Sequence, residues 1–182
     1  MPRLFVAVDP PEECKELLAR LCNGLPGARW VRDRQFHLTL RFLGTVEGPQ
    51  ARVVEEALHG VRADPFELAL HGVGHFPPRG PPRVLWAGVD SGEELHELHR
   101  QVERVLRRAG LPPEERKFAP HVTLARLVET PLPRLLAFLR EHATLRSEPF
   151  AVTDIALYSS VLSSEGAQHL REEVYPLFAR RP

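Results

Sequence analysis

The sequence predicts an α+β fold of two similar lobes, each an antiparallel sheet backed by helices, facing across a central cleft with pseudo-two-fold symmetry. Three observations carry it. Strand and helix patterns are mixed and joined by short connections, and the strand-loop-strand pieces suggest hairpins rather than successive crossovers. Each half holds a helix followed by a strand reading His-x-Thr-Leu, at His37-Leu38-Thr39-Leu40 and at His121-Val122-Thr123-Leu124. The two histidines stand 84 positions apart in a chain of 182, so the halves match in length as well as order.

Leu4 to Val8 is a β-rich run closed by Asp9-Pro10-Pro11, after which Cys14, Leu17, Leu18, Leu21, Cys22 and Leu25 recur at helical spacing. An extended piece around Trp30-Val31 leads to the first motif strand, Phe36 to Phe42. Apolar and polar residues alternate there, which puts His37, Thr39 and Arg41 on one face, and Gly44 ends the run. Val53, Val54, Ala57, Leu58 and Val61 form the stripe of a second helix. Strands follow near Phe66 to His71 and Val84 to Val89, with HFPPRGPPR between them as a proline-stiffened loop. The third helix is the clearest: Leu95, Leu98, Val102, Val105, Leu106 and Ala109 keep the 3.6 period until Gly110 and Pro112 stop it. Past the charged loop PPEERKFAP, His121 to Leu127 alternates as a second motif strand. Leu132, Leu135, Leu136 and Leu139 mark a fourth helix, and Phe150 to Tyr158 and His169 to Phe178 read as the last strands.

No linker or low-complexity stretch interrupts the chain, and 43% apolar content over 182 residues fills a real core, so residues 1–182 are expected to form one bilobal domain. Basic and acidic side chains balance at 24 each. That excludes a long electrostatic footprint on nucleic acid, which needs an excess of Lys and Arg to release counterions, and confines any polyanion site to a local feature. Of the basic residues 22 are Arg and only Lys15 and Lys117 are Lys; with 18 Pro and a single Asn this fits a high-GC or thermophilic composition. Cys14 and Cys22 have neither metal spacing nor partners for a disulfide framework and read as reduced core residues. The N-terminal apolar run is too short for a signal h-region or a membrane span. The expected protein is a cytoplasmic monomer with no membrane partner and no required protein partner.

Nine His and six Thr in 182 positions give about 0.3 His-x-Thr matches by chance. One match would mean nothing; two in matched context define a site. Residues i and i+2 of a strand share a face, so each His stands beside its Thr while Leu38 or Val122 points to the core. Two imidazoles and two hydroxyls around one pocket suit attack on a phosphodiester. One imidazole, neutral, serves as base while the other, protonated, serves as acid. The Thr hydroxyls donate to phosphate oxygens, and a guanidinium from Arg41 or Arg126 offsets transition-state charge. No metal and no cofactor is expected.

With these motifs the chain resembles the 2H phosphoesterases, named for paired His-x-Thr motifs, and within them the bacterial and archaeal RNA 2′,3′-cyclic phosphodiesterases, also called 2′-5′ RNA ligases. The resemblance spans RLFVAVDPP, WVRDRQFHLTLRFLG, PPRVLWAGV, KFAPHVTLARL and LYSSVLSSEGAQH. It implies hydrolysis of a terminal ribonucleoside 2′,3′-cyclic phosphate to a 2′-phosphate, on RNA ends or small cyclic nucleotides. It also implies roles: His37 the proton donor to the departing 3′ oxygen, His121 the proton acceptor from water, Thr39 and Thr123 positioning the phosphate. Phe42 and Arg126, each five residues after its His, would stack on the terminal base and neutralise phosphate. Strict alternation puts an i+5 residue on the wrong face, so both reach the cleft only if a bulge or strand end intervenes. Arg41 has the better parity and Arg126 the closer family match. The alternatives are ligation as the main activity, and a non-catalytic RNA-end binder.

Other patterns carry less. His96 and His99 lie off the apolar seam of the third helix, are not HExxH, and read as solvated. His71 and His75 flank a Gly-rich turn and could line the cleft or cap a loop. Gly72-Val73-Gly74 lacks the rest of a dinucleotide fingerprint, and no GKS or GKT is present. Arg29, Arg32, Arg34, Arg116 and Lys117, in the loops that run into the motif strands, are expected to form a positive rim guiding an RNA end.

Overall fold

Each half of the chain runs strand, helix, motif strand, helix. In the computed structural model, which describes residues 3–90, 92–163 and 166–178, the first half is β1 (Arg3–Val8), α1 (Glu12–Leu21), β3 (Leu38–Thr45) and α2 (Gly48–Leu58). The second is β5 (Val84–Asp90), α3 (Glu93–Arg108), β6 (His121–Leu127) and α4 (Leu132–Glu141). The remaining strands are β2 (Ala28–Trp30), β4 (Phe66–Phe76), β7 (Phe150–Val152), β8 (Asp154–Ser163) and β9 (Gly166–Pro176), with a 3-10 turn at Asp33–Gln35. The main sheet order is β7-β4-β5-β6-β3-β1-β8-β9, and β2 pairs with β6.

Two four-stranded halves therefore meet at β6 and β3, the motif strands, through one antiparallel pair, Leu38 opposite Val122. The expected α+β class, with two repeated antiparallel halves, holds. Each half also borrows a strand: β4, which follows α2, pairs with β5, and β8, which follows α4, pairs with β1. Five strands separate β7 from β8 in the sheet, yet only Thr153 separates them in the chain. Since one residue reaches under about 4 Å, the sheet must curl until its two flanks approach.

All four helices pack on one face of this sheet. Cys14, Leu18 and Leu21 of α1, Val54 and Leu58 of α2, Leu95, Leu98, Val102 and Leu106 of α3, and Leu135 and Phe138 of α4 share one core with Leu38, Leu40, Val122 and Leu124. Of the six residues in the expected α3 stripe, Leu95, Leu98, Val102 and Leu106 are sealed from water, each contributing about 1.5–3 kcal/mol by burial, while Val105 and Ala109 are partly buried against the same core. Gly110 ends the helix at φ +88°, a left-handed conformation that suits glycine. Cys14 is buried, Cys22 less so, and both are free thiols.

Several boundaries differ from the periodicity reading: the first motif strand runs Leu38–Thr45, through Gly44, because β1 stays paired with it to Thr45, and the last strand runs Gly166–Pro176. Strand β4 continues through His75 and Phe76, so the proline loop shrinks to residues 77–83, because β5 pairs with β4 as far as Phe76 opposite Val84. The stretch from Phe150 to Tyr158 is two strands, because β7 bonds to β4 while β8 bonds to β1. Among the described residues no helix is long and apolar enough to cross a membrane.

Candidate active site

The pair Leu38–Val122 sets the site. Both side chains are buried on the helix side, at 1% and 0% exposure. Their neighbours in each strand point the other way, and continuing the antiparallel register brings His37 toward Thr123 and Thr39 toward His121. A local two-fold thus relates the motifs, with all four polar side chains on the face without helices.

Each imidazole is anchored by the same device. His37 Nδ1–H donates to the Gln35 carbonyl at 2.7 Å, and His121 Nδ1–H donates to the Ala119 carbonyl at 2.6 Å. A carbonyl can only accept, so the proton sits on Nδ1 in both rings and Nε2 is left to exchange protons.

The backbone repeat extends further. Strand β3 shifts register against β1 between the pairs Ala7–Thr39 and Val6–Arg41, so Leu40 is the extra residue of a bulge. Strand β6 shifts against β5 between Trp86–Thr123 and Leu85–Ala125, which makes Leu124 the extra residue there. Both bulges fall on the third residue after the histidine, and both reverse the alternation. Phe42 and Arg126 are consequently exposed, Phe42 at 55%. Each lies on the site side: Phe42 has its ring 5.9 Å from Phe5, and the positive charge of Arg126 is felt at His121.

The same bulge corrects the position of Arg41. Alternation put it beside His37; instead it turns into the helix side, 7% exposed. Its guanidinium donates to Glu114 Oε2 at 3.0 Å and to the Phe42 and Pro112 carbonyls, with Nε against the Glu103 carboxylate. It braces α3 and the loop after it, away from the imidazoles.

The walls of the two imidazoles differ. Around His37 lie Phe5, with centroids 4.7 Å apart, and His169, at 5.0 Å; Phe5 in turn stacks flat on Tyr158 at 5.2 Å. Around His121 lie Phe76, edge-on at 5.0 Å, and Trp86 at 6.4 Å. The indole lies directly on Gly74, where a Cβ would come within 2.2 Å of the ring, so glycine is what admits Trp86 at this depth. Burial pushes the His37 imidazole down to about 4, against its bond to Gln35, and the positive charges that His169 and His121 can carry push the same way while Asp9 opposes them. His121 is lowered too, first by burial and also by Arg126, with its bond to Ala119 opposing.

Two consecutive segments, residues 8–86 and 88–167, each match the family model described as LigT-like phosphoesterase, so the model recognises the same repeat that the strands display. The chain belongs to the LigT-like phosphoesterase family. It is 41% identical to an RNA 2′,3′-cyclic phosphodiesterase of Aeropyrum pernix over 79% of this chain and 82% of that one. A protein of the same name from Archaeoglobus fulgidus is 34% identical over 90% and 94%. Among solved structures, one from Thermus thermophilus superposes with a TM-score of 0.81 at 28% identity, over 98% of this chain and 100% of that one. Escherichia coli LigT complexed with 3′-AMP superposes with 0.76 at 25% identity, over 97% and 99%.

Within this LigT-like fold, sequence reasoning passed over Phe5, Tyr158 and His169 as site residues. All three lie in segments that carry the resemblance, RLFVAVDPP and LYSSVLSSEGAQH, but only strand pairing brings them to His37; Ser164 and Glu165 of the latter segment lie outside the described residues. Arg29, one of the expected rim residues, sits directly opposite Arg126 across β2 and β6 and is exposed. Arg32, Arg34, Arg116 and Lys117 are exposed as well. The histidines of α3 are packed rather than solvated: His99 stacks on Phe118 at 4.1 Å and His96 meets the same ring edge-on. His71 is exposed beside an isolated bridge to Arg146, and His75, opposite the buried Leu85, faces the helix side. Neither lines the cleft. Among the described residues no three His, Cys, Asp or Glu side chains converge to hold a metal ion.

Proposed function

We propose that the protein hydrolyses a terminal 2′,3′-cyclic phosphate, on an RNA end or a small nucleotide, to a 2′-phosphate and a free 3′-hydroxyl, by acid–base catalysis without a metal. The observation that carries this is the pair of imidazoles, each held through Nδ1 by the carbonyl two residues before it, on strands joined at Leu38–Val122. The relatives named RNA 2′,3′-cyclic phosphodiesterase support the substrate class.

In the proposed step, His121 Nε2 takes a proton from water as its oxygen bonds to phosphorus. The phosphorus–O3′ bond breaks, and His37 Nε2–H protonates the departing O3′. Thr39 and Thr123 donate to the non-bridging oxygens, and Arg126 offsets their charge. The cation at Arg126 adds to burial in disfavouring a proton on His121, which suits a base. At His37 the Asp9 carboxylate favours a proton but is outweighed by burial and His169, so the acid form there depends on the charge of the substrate. Burial keeps His37 neutral until the anionic phosphate arrives and stabilises the imidazolium. Phe42, exposed above Phe5, offers an aromatic face to the terminal base.

Each 2′,3′-cyclic mononucleotide, incubated with the protein in EDTA, is expected to give the 2′-phosphate, resolved from the 3′-isomer by phosphorus NMR. A 3′-phosphate product reverses the assigned leaving group. No turnover of any of the four, or joining of RNA ends without hydrolysis, overturns the proposal.

A further inference from the structure

One contact of His37 belongs to a group that the proposed reaction does not use. His169, near the start of β9, meets His37 edge-on with planes at 79°, and meets Phe5 edge-on at 5.0 Å. Its Nδ1 is buried without a hydrogen-bond partner. Two residues earlier in the strand, the Ala167 carbonyl accepts from the Gln35 side-chain amide at 3.0 Å. Gln35 is also the residue whose own carbonyl holds His37 Nδ1. Strand β9 therefore touches the His37 ring through His169 and, through Ala167, holds the side chain of the residue whose carbonyl orients that ring.

The other imidazole has different neighbours. The rings beside His121, Phe76 and Trp86, carry no titratable group. We propose that His169 is a positioning residue for His37, and that the β8–β9 hairpin adds to the inequality of the two imidazoles by clamping His37 alone. This rests on the reading of His37 and His121 as the acid–base pair, but its first test does not need turnover.

The charged and titratable groups that face His37 are few. His169 comes from β9, His121 from β6 and Asp9 from the end of β1. Tyr158 of β8 stacks at 6.3 Å. Asp9 is itself held by Lys15 at 2.7 Å and Arg171 at 3.4 Å. An imidazolium at 169 would bury an Nδ1–H with no acceptor, so the geometry holds His169 neutral at neutral pH. As pH falls, His169 and His37 compete: a proton on one opposes a proton on the other across rings in contact. The clamp thus ties the proton on His37 to the arrival of a compensating negative charge, and His169 holds that coupling.

The test is an NMR titration of the imidazole ring carbons without substrate, in wild type, His169→Gln and His169→Asn, with thermal melts alongside. In both variants the His37 midpoint is expected to rise by at least about half a pH unit, roughly threefold in proton affinity, while His121 stays in place. The acid limb of the pH–rate profile on a 2′,3′-cyclic nucleotide then moves the same way. A role in packing alone lowers the melting temperature and leaves the His37 titration unmoved, which overturns the proposal, as does an equal shift of both histidines. Failure of both variants to fold also assigns His169 a packing role. If wild type turns over no cyclic nucleotide while the His37 titration still moves, the catalytic reading fails and the clamp stands.

Discussion

Strands β3 and β6 use one backbone design twice and fill it differently. Each has at its start a histidine, the first residue of β6 and the residue just before β3, pinned to the carbonyl two residues back; each carries a threonine on the same face and bulges at the third residue after the histidine. The fourth and fifth positions diverge: Arg41 and Phe42 in one strand, Ala125 and Arg126 in the other. The repeated part is what acid–base chemistry at one phosphorus requires from two sides. The part that differs distinguishes the sides, offering an aromatic face on one and a cation on the other. In the proposed reaction, repetition supplies the acid and the base, and divergence supplies the orientation of an asymmetric substrate.

The strongest break of this comparison removes an imidazole from either strand. His37→Ala and His121→Ala are each expected to lower kcat on a cyclic nucleotide by about 10³-fold or more, with the fold intact by circular dichroism. A large loss in only one would show that the two halves do not share the chemistry.

The two arginines sharpen it next. Arg41→Met leaves Glu103 and Glu114 without their cation in a mostly buried site and is expected to cost about 3 kcal/mol of stability in urea unfolding, with little change in turnover per folded molecule. Arg126→Ala is expected to do the reverse: about 10²-fold less kcat/KM and an unchanged melting temperature. Equal kinetic losses in both would put Arg41 back among the substrate contacts.

Acid separates the halves by protonation. His37 is pushed from an ordinary 6.5 down to about 4 in the folded protein, chiefly by burial. Below 6.5 the unfolded chain takes up this proton and the native chain does not, so stability is full above that pH and falls as pH drops toward 4, by about 3 kcal/mol from this residue. Melting temperatures from pH 7.5 to 4.5 measure it, and His37→Gln should flatten the slope. A slope unchanged by that substitution would mean that His37 is not the group excluded from protonation.

The smallest effect is expected at Phe42, which is exposed over Phe5. Phe42→Ala should raise KM several-fold for a cyclic nucleotide and hardly change kcat, as the loss of one stacking contact worth about 1–3 kcal/mol would. A selective fall in kcat would assign the ring to positioning of the phosphate instead.

Much of the fold could be read from the chain before any coordinates. The stripes of α1 to α4 announce themselves because a helix buries residues at a fixed local period, and the stop at Gly110 is equally local. The motif histidines stand out because the same four-residue pattern recurs on two alternating strands. The reading went astray at Arg41, where alternation was extended past a bulge, and at His96 and His99, which Phe118 covers from a loop 22 and 19 positions further along the chain. It passed over His169, whose place beside His37 depends on β8 pairing with β1 and β9 with β8.

By itself, then, the sequence determined the class of fold, the helices, the two motif strands and which face of each carries imidazole and hydroxyl, because these follow from spacing within a few residues. Tertiary structure alone decided which arginine shares the face of the two imidazoles, whether Phe42 reaches it, and which residues wall each histidine. A bulge is a mismatch between two paired strands, and a wall is built by residues far apart in the chain. Neither is a property of the segment on which its effect is seen.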